Sequence, residues 1–179
     1  AQVLGGNDDG LGGSGDEVLI MNDNGSSYRS LWLNSSGEWT VSGGGSDTLA
    51  PGQGFFVLRR AASTVYPTFT GPVGTPGSQI AEIVPGWNLL GLAEGWYNVT
   101  FSSVFGSPVS GALNSGWDGD DTADEIQVLN ANGSYTRYYY APDGNWYNAQ
   151  NDAVSGSTTF LPGRAYYFKR DSGSLEIRF

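Results

Sequence analysis

One feature constrains the fold more than any other: a stretch near the start of the sequence returns in its second half. Residues 16–26 (DEVLIMNDNGS) align without gaps on residues 124–134 (DEIQVLNANGS). Further matches follow in the same order: Trp39 on Trp146, residues 51–57 on 162–168, and residues 65–69 on 175–179. Matches in one conserved order indicate duplication of a folding unit. We therefore expect two homologous units, residues 1–74 and residues 75–179.

The second feature is the alternation of short apolar runs with turn residues. Asn-Gly, Ser-Gly and Asp-Gly tolerate the positive φ of hairpin turns, so the pattern predicts a mostly β fold. Each unit is predicted to be an antiparallel meander, sandwich-like or barrel-like. The strands of the first unit are predicted at residues 18–21, 28–33, 38–41, 55–59 and 65–69, and the second unit repeats them. One short helix is expected in the second unit at residues 101–105, where Thr100 can cap it.

The two units differ in length. The second unit opens with an apolar strand at residues 83–92, followed by the helix and the acidic loop 118–125, and the first unit lacks this opening strand. A β-unit without one strand exposes an edge that invites pairing. Either the second unit lends a strand within the chain, or a neighbouring molecule donates one. The candidate donors are residues 1–4 and 174–179.

Three motifs carry a resemblance to a known family. They are residues 85–90 (PGWNLL), the hairpin 130–140 with residues 144–146 (GNW) after it, and residues 49–57 (LAPGQGFFV). Together they resemble the tandem β-repeat of uncharacterised secreted proteins from Verrucomicrobia and related bacteria. The resemblance covers both units and implies secretion and a β-fold, without a particular activity. The sequence departs from that pattern because its first unit has no opening strand.

The composition excludes several function classes. The chain contains neither His nor Cys, which rules out a Ser-His-Asp or Cys-His nucleophile, a zinc site of the usual ligands and a disulfide. A net charge of -10 disfavours binding to nucleic acid or to anionic membranes. No apolar stretch is long enough for a membrane-spanning helix. Because residue 1 is Ala and Met21 is the only methionine, we expect a processed chain that is secreted, extracellular or bound to the cell surface, and the resemblance implies a bacterial source.

Aromatic side chains are candidates for an interface or a glycan-binding surface, because Trp and Tyr offer apolar faces with polar tips. The candidates are Trp32, Tyr138, Tyr139, Tyr140, Trp146 and Phe179, from a larger set that includes Tyr28, Trp39, Tyr135 and Tyr147. The alternative is that alternate residues form the core and the rest form cross-strand pairs. Since Tyr138, Tyr139 and Tyr140 are consecutive, their side chains cannot all lie on one side of a strand.

Acidic residues cluster ahead of the second unit's repeat. Asp118, Asp120, Asp121 and Asp124 are weak candidates for a calcium site, but Thr122 and Ala123 break the EF-hand pattern, which favours a solvated acidic turn. Carboxylate catalysis requires two acids facing a cleft. Because the acids lie in predicted turns or on solvent faces, no catalytic residue and no cofactor is expected.

These observations favour a non-enzymatic structural protein that assembles with copies of itself. The predicted mechanism is strand complementation, which would give an extracellular filament, tube or surface layer. The alternative is a carbohydrate-binding or adhesive module that uses exposed aromatic side chains, with a polysaccharide as its partner. Polysaccharide pull-down with Trp32→Ala and Trp146→Ala separates the two hypotheses.

Overall fold

The computed structural model describes residues 15–22, 25–34, 38–42, 48–49, 52–58, 60, 80–91, 99–106, 108–118, 121–155, 157–161 and 164–178. The strands are β1 (Glu17–Met21), β2 (Tyr28–Leu33), β3 (Trp39–Val41), β4 (Phe55–Leu58), β5 (Ile80–Ile83), β6 (Gly86–Gly91), β7 (Glu125–Leu129), β8 (Tyr135–Tyr140), β9 (Trp146–Asn148), β10 (Ala153–Val154), β11 (Ala165–Arg170) and β12 (Leu175–Arg178), and the helix is α1 (Phe101–Phe105). The fold is therefore mostly β with one short helix in the described part of the chain, as the sequence predicts.

The two units share one pairing pattern. The first sheet has the order β3-β2-β1-β4, and the second contains the equivalent run β9-β8-β7-β11. Val18 pairs with Leu31 and Val57, and at the aligned position Ile126 pairs with Tyr138 and Phe168. The registers of the two units thus agree with the sequence alignment, residue for residue.

The predicted meander is wrong at the fourth strand of the first unit. β4 does not continue beside β3 but returns to pair with the opposite edge of β1. This position brings Phe55 and Val57 onto the apolar face that Val18 and Ile20 already form. Burial of a complete apolar face explains why β4 crosses to that edge.

The strand β6 serves both units. One of its edges pairs with β11 along its whole length, with Leu90 opposite Tyr166. On its other edge Leu90 forms a bridge with Gln53, just before β4, and the Gly54 N–H donates to the Leu89 carbonyl at 2.9 Å. The Gly91 N–H donates in turn to the Gly52 carbonyl at 2.9 Å. The two sources expected for the missing strand were the second unit and a neighbouring molecule. This pairing is made by β6 of the second unit, within the same chain.

The opening segment of the second unit is two strands rather than one. β5 ends at Ile83, and β6 begins after a turn at Gly86, which has a φ of 98°. The Asn88 side chain closes this turn, since its amide oxygen accepts from the Val84 N–H at 3.0 Å and its amide nitrogen donates to the Val84 carbonyl at 2.8 Å. The predicted continuous strand over residues 83–92 therefore breaks at a side-chain-stabilised turn.

The main core lies between the six-stranded sheet and a second layer. This layer consists of α1 and of the two-stranded sheet β5–β12, whose Leu175 and Ile177 are fully buried. α1 has the predicted bounds, and Thr100 caps it, because its hydroxyl accepts from the Ser103 N–H at 3.1 Å. In the described part the sheets remain open, which makes the architecture sandwich-like rather than barrel-like.

The terminal strand is paired inside the chain. β12 runs antiparallel to β5, with Leu175 opposite Ile83 and Arg178 opposite Ile80. Residues 175–178 are therefore not free for donation to a neighbour, which corrects one candidate donor. The other candidate donor (residues 1–4), the predicted strand at 65–69 and Phe179 lie outside the described residues.

Candidate functional site

The repeat places two tryptophans at equivalent positions in different surroundings. Trp146 in β9 is 6% exposed, because it contacts the rings of Phe101 and Phe105 at centroid distances of 5.5 and 5.4 Å. Trp39 in β3 is 43% exposed. Each tryptophan lies at the start of its strand. Trp39 pairs with Leu33, and Trp146 pairs with Tyr140, which is aligned with Leu33 in the repeat. We call the strand β3, with Trp39, the β3 edge.

Three of the sequence's aromatic candidates lie on one side of the β8–β9 hairpin. Trp146 is buried in the main core, and Tyr138 and Tyr140 pack against that core. Tyr139 lies on the opposite side of β8 and is only 1% exposed, because Ala123, Ala141 and Tyr147 cover it. The burial of Tyr139 and Trp146 fits the alternative stated for the aromatic set, in which alternate residues form the core, and not an open glycan-binding surface. Trp32, at the position equivalent to Tyr139, is half-buried, and Phe179 lies outside the described residues.

Five further rings meet where the two units join. The Tyr167 ring is in contact with Phe56, Trp87 and Tyr135, at centroid distances of 5.6, 5.9 and 5.8 Å. The hydroxyls of Tyr28 and Tyr167 are 2.6 Å apart. Burial, followed by this hydrogen bond, raises the pKa of Tyr167. The rings meet at angles between 37° and 83° rather than in one plane, so they form a packed joint and not a flat platform.

A second aromatic arrangement lies at the far end of the same sheet face, and we call it the aromatic corner: Trp117, Tyr139, Asp143 and Tyr147. Tyr147 stacks on Tyr139 with a centroid distance of 5.8 Å and an angle of 22°. Trp117 is 53% exposed, and its ring lies 6.3 Å from that of Tyr147 at 59°. The Tyr147 hydroxyl donates to Asp143 Oδ2 at 2.7 Å. The aromatic corner therefore combines an open indole with a fixed phenol and a carboxylate.

The hydrogen bond in the aromatic corner sets the charge states of its two members. It lowers the pKa of Asp143 from 3.8, with a smaller contribution from Asn145. The same bond raises the pKa of Tyr147 from 10.0. Around neutral pH the carboxylate is therefore ionised and the phenol is neutral. Trp117 is absent from the sequence-based candidates because it lies between the predicted helix and the predicted acidic loop, where no strand alternation marks its position.

The acidic candidates are directed toward separate basic side chains. Asp124 is fully buried and pairs with Arg170 at 2.5 Å, which corrects the expectation of a solvated turn at this residue. Asp118 pairs with Arg137, and Asp121 pairs with Lys169 at 3.3 Å. Asp120 lies outside the described residues. Among the described side chains, no group of three His, Cys, Asp or Glu residues is arranged to hold a metal ion.

An open cleft of about 420 Å³ lies at the junction of the two units. Its lining includes Met21, Asn22 and Gln53 from the first unit, together with Glu82 and Trp87 from the second. Glu82 contributes the one carboxylate among these lining residues. Among the described residues that line the cleft there is no second acid, which hydrolysis of a glycosidic bond requires.

The comparisons with known proteins add no relative. No family model, no curated protein and no solved structure matches the chain significantly. Within the described residues, no helix has the length and apolar character needed to cross a membrane. The functional argument therefore depends on the geometry of this chain.

Proposed function

We propose that the chain is a non-enzymatic, extracellular structural module that associates with further copies of itself through the β3 edge. The observation that carries this proposal is the contrast between Trp39, 43% exposed, and the equivalent Trp146, 6% exposed. A large indole at the open end of a sheet loses unfavourable contact with water when another surface covers it. Association is the simplest way to bury it.

The second unit indicates what kind of surface can cover this position. There, β10 extends the sheet beyond β9, and the phenylalanines of α1 cover Trp146. In the described part of the chain, β3 pairs with β2 alone and β10 pairs with β9 alone. A second copy can therefore place its β10 end beside β3. Such a contact joins different surfaces and continues from copy to copy.

The bridge between Gln53 and Leu90 makes this geometry possible. It links the four-stranded sheet to the six-stranded sheet, so strands follow one another from β3 at one end to β10 at the other. Both terminal strands are short, with three and two residues. Short edges limit the hydrogen bonds available for association. Burial of Trp39 would therefore supply much of the affinity.

Several features support the non-enzymatic and extracellular parts of the proposal. Among the described lining residues of the junction cleft, Glu82 alone carries a carboxylate, and the buried Asp124 is neutralised by Arg170. The extracellular location is supported by the sequence resemblance to secreted proteins. The chain also has a single lysine, Lys169, whereas lysines commonly protect exposed sheet edges from pairing.

Sedimentation velocity over a range of concentrations tests the proposal, with negative-stain electron microscopy of the same samples. The wild type is expected to form larger species as concentration rises. Trp39→Ser should remain monomeric, because it removes the side chain that association buries. Val109→Ser is the control, since it removes another exposed apolar side chain, one that lies beside β12 rather than beside β3 or β10.

Two results would contradict the proposal. One is a wild type that stays monomeric at every concentration. The other is association of Trp39→Ser to the same extent as the wild type. Thermal unfolding of each variant establishes that the comparison is made between folded proteins.

A further inference from the structure

We infer that the aromatic corner binds a neutral polysaccharide, with the Trp117 indole as the surface on which a sugar ring packs. This inference starts from an observation separate from the exposure of Trp39, because the aromatic corner belongs to the second unit and the β3 edge to the first. It starts from the exposure of Trp117, which at 53% is the highest among the large apolar side chains of the described residues.

The indole is presented by a fixed backbone. The Gly116 N–H, directly before Trp117, donates to the Tyr140 carbonyl at 3.0 Å. On the other side, Asp118 forms an ion pair with Arg137. A Cβ atom at residue 116 would meet Thr122 and Ala123, so the segment lies tightly against the chain. Little conformational freedom remains for a ligand to remove, which favours binding.

The second ring is held equally firmly. Tyr147 stacks on the buried Tyr139, whose hydroxyl donates to Asn151 Oδ1 at 2.8 Å. The Arg137 guanidinium lies 6.0 Å from the centre of the Tyr139 ring, a cation–π distance. Arg137, Tyr139 and Tyr147 therefore pack in contact with one another. Trp117 and Tyr147 therefore form two walls inclined at 59°, with Tyr147 positioned by its neighbours.

The polar groups beside these rings suit hydroxyl donors. Asp143 accepts from the Asn145 N–H at 3.0 Å through Oδ1 and from the Tyr147 hydroxyl through Oδ2. Each carboxylate oxygen has two lone pairs, so both oxygens retain capacity to accept from a ligand. A sugar offers this combination, since one side of its ring presents C–H groups and its rim presents hydroxyls.

The charges select a neutral ligand. Asp143 and Asp118 flank the exposed rings, and the nearby cation, Arg137, is neutralised by Asp118 and Glu125. The net charge of -10 acts in the same direction. Uronate-containing and sulfated polysaccharides would therefore be repelled.

Affinity gel electrophoresis tests the inference, with soluble β-glucan, mannan, xylan and starch as neutral probes and alginate as the acidic probe. The wild type is expected to be retarded by at least one neutral polysaccharide and not by alginate. Trp117→Ala should weaken that binding at least tenfold, and Tyr147→Ala should also weaken it. Trp39→Ala is the matched control and should bind as the wild type does.

Each other outcome overturns the inference. Absence of retardation by every neutral probe would do so, as would equal binding by the wild type and Trp117→Ala. Preferential binding to alginate would contradict the charge argument. Binding of a proline-rich peptide in place of any polysaccharide would assign the aromatic corner to a protein partner. Because Trp39→Ala is included, loss of self-association and loss of sugar binding are measured separately.

Discussion

Asp124 and Arg170 form an ion pair that is closed off from solvent on every side, with Nη1 of the arginine 2.5 Å from Oδ2 of the aspartate. Oδ2 also accepts from the Asn114 N–H at 2.9 Å, and the arginine Nε donates to the Gly173 carbonyl at 2.8 Å. The pair thereby joins the loop before β7 to the turn after β11. Through Asn114 it also anchors the chain three residues before Trp117.

Removal of one member of this pair should strongly destabilise the fold. Arg170→Met leaves the Asp124 carboxylate buried without its partner, which typically costs about 3–5 kcal/mol. Lys169→Met is the matched control, because the neighbouring Lys169 pairs with a fully exposed Asp121, and it should change stability little. Urea unfolding monitored by Trp fluorescence measures both. Similar stabilities for the two variants would contradict the role given to the buried pair.

The glycines of the two repeated hairpins should respond differently to alanine. Gly25 and Gly133 occupy aligned turns with φ of 65° and 81°, so alanine at either site costs about 1–2 kcal/mol from backbone strain. At Gly133 the added Cβ would have no neighbour, whereas at Gly25 it would overlap the Trp87 carbonyl of the second unit. Gly25→Ala should therefore lower the free energy of unfolding by about 1–3 kcal/mol more than Gly133→Ala does. Equal losses in thermal unfolding would refute this contact between units.

Stability should fall in alkali partly because of Tyr167. Its pKa is raised in the folded state, first by burial and then by the hydrogen bond with Tyr28, above the value of 10.0 in the unfolded chain. A raised pKa contributes stability that is present below pH 10.0 and is lost as pH rises toward the folded value. Tyr167→Phe should be less stable than the wild type near neutral pH, by about 1 kcal/mol for the hydrogen bond.

The pH dependence of that variant provides the check. The difference in unfolding free energy between wild type and Tyr167→Phe should shrink as pH increases beyond 10.0, because the wild type alone loses the tyrosine contribution. Urea titrations at neutral pH and in alkali measure it. A difference that stays constant would show that Tyr167 titrates alike in both states.

Binding of a neutral polysaccharide at the aromatic corner should be independent of pH over a wide range. The Asp143 pKa is lowered from 3.8 and the Tyr147 pKa is raised from 10.0, so neither group changes its charge between about pH 5 and about pH 9. Affinity electrophoresis at several pH values is the measurement. A step within that range would mean that another titrating group contacts the sugar.

The repeat made much of the fold predictable. Aligned hairpins and alternating apolar residues located β1, β2, β7 and β12 within one or two positions, and Thr100 marked the start of α1. The crossing of β4 was not predictable, because residues 55–58 suit either edge equally well. Only the packing of Phe55 and Val57 on β1 selects the observed edge.

The candidate sites were harder to predict than the strands. Spacing identified Tyr139 and Trp146 as unusual residues, but which side of β8 and β9 the second layer covers is a tertiary property. The same limitation applies to Asp124, which resembles its solvated neighbours in sequence and pairs with Arg170, 46 residues away. The interest of Trp39 and Trp117 lies in their exposure, which is a tertiary property that no local sequence pattern records.

The shared strand β6 makes the two repeats a single cooperative unit rather than two independently folding domains. Its backbone holds β11 through one edge and the approach to β4 through the other. Loosening of β6 therefore removes hydrogen bonds from both repeats at once, and unfolding should proceed as one transition. A gene cut between residues 74 and 75 would separate the first repeat from a strand that it uses but does not encode.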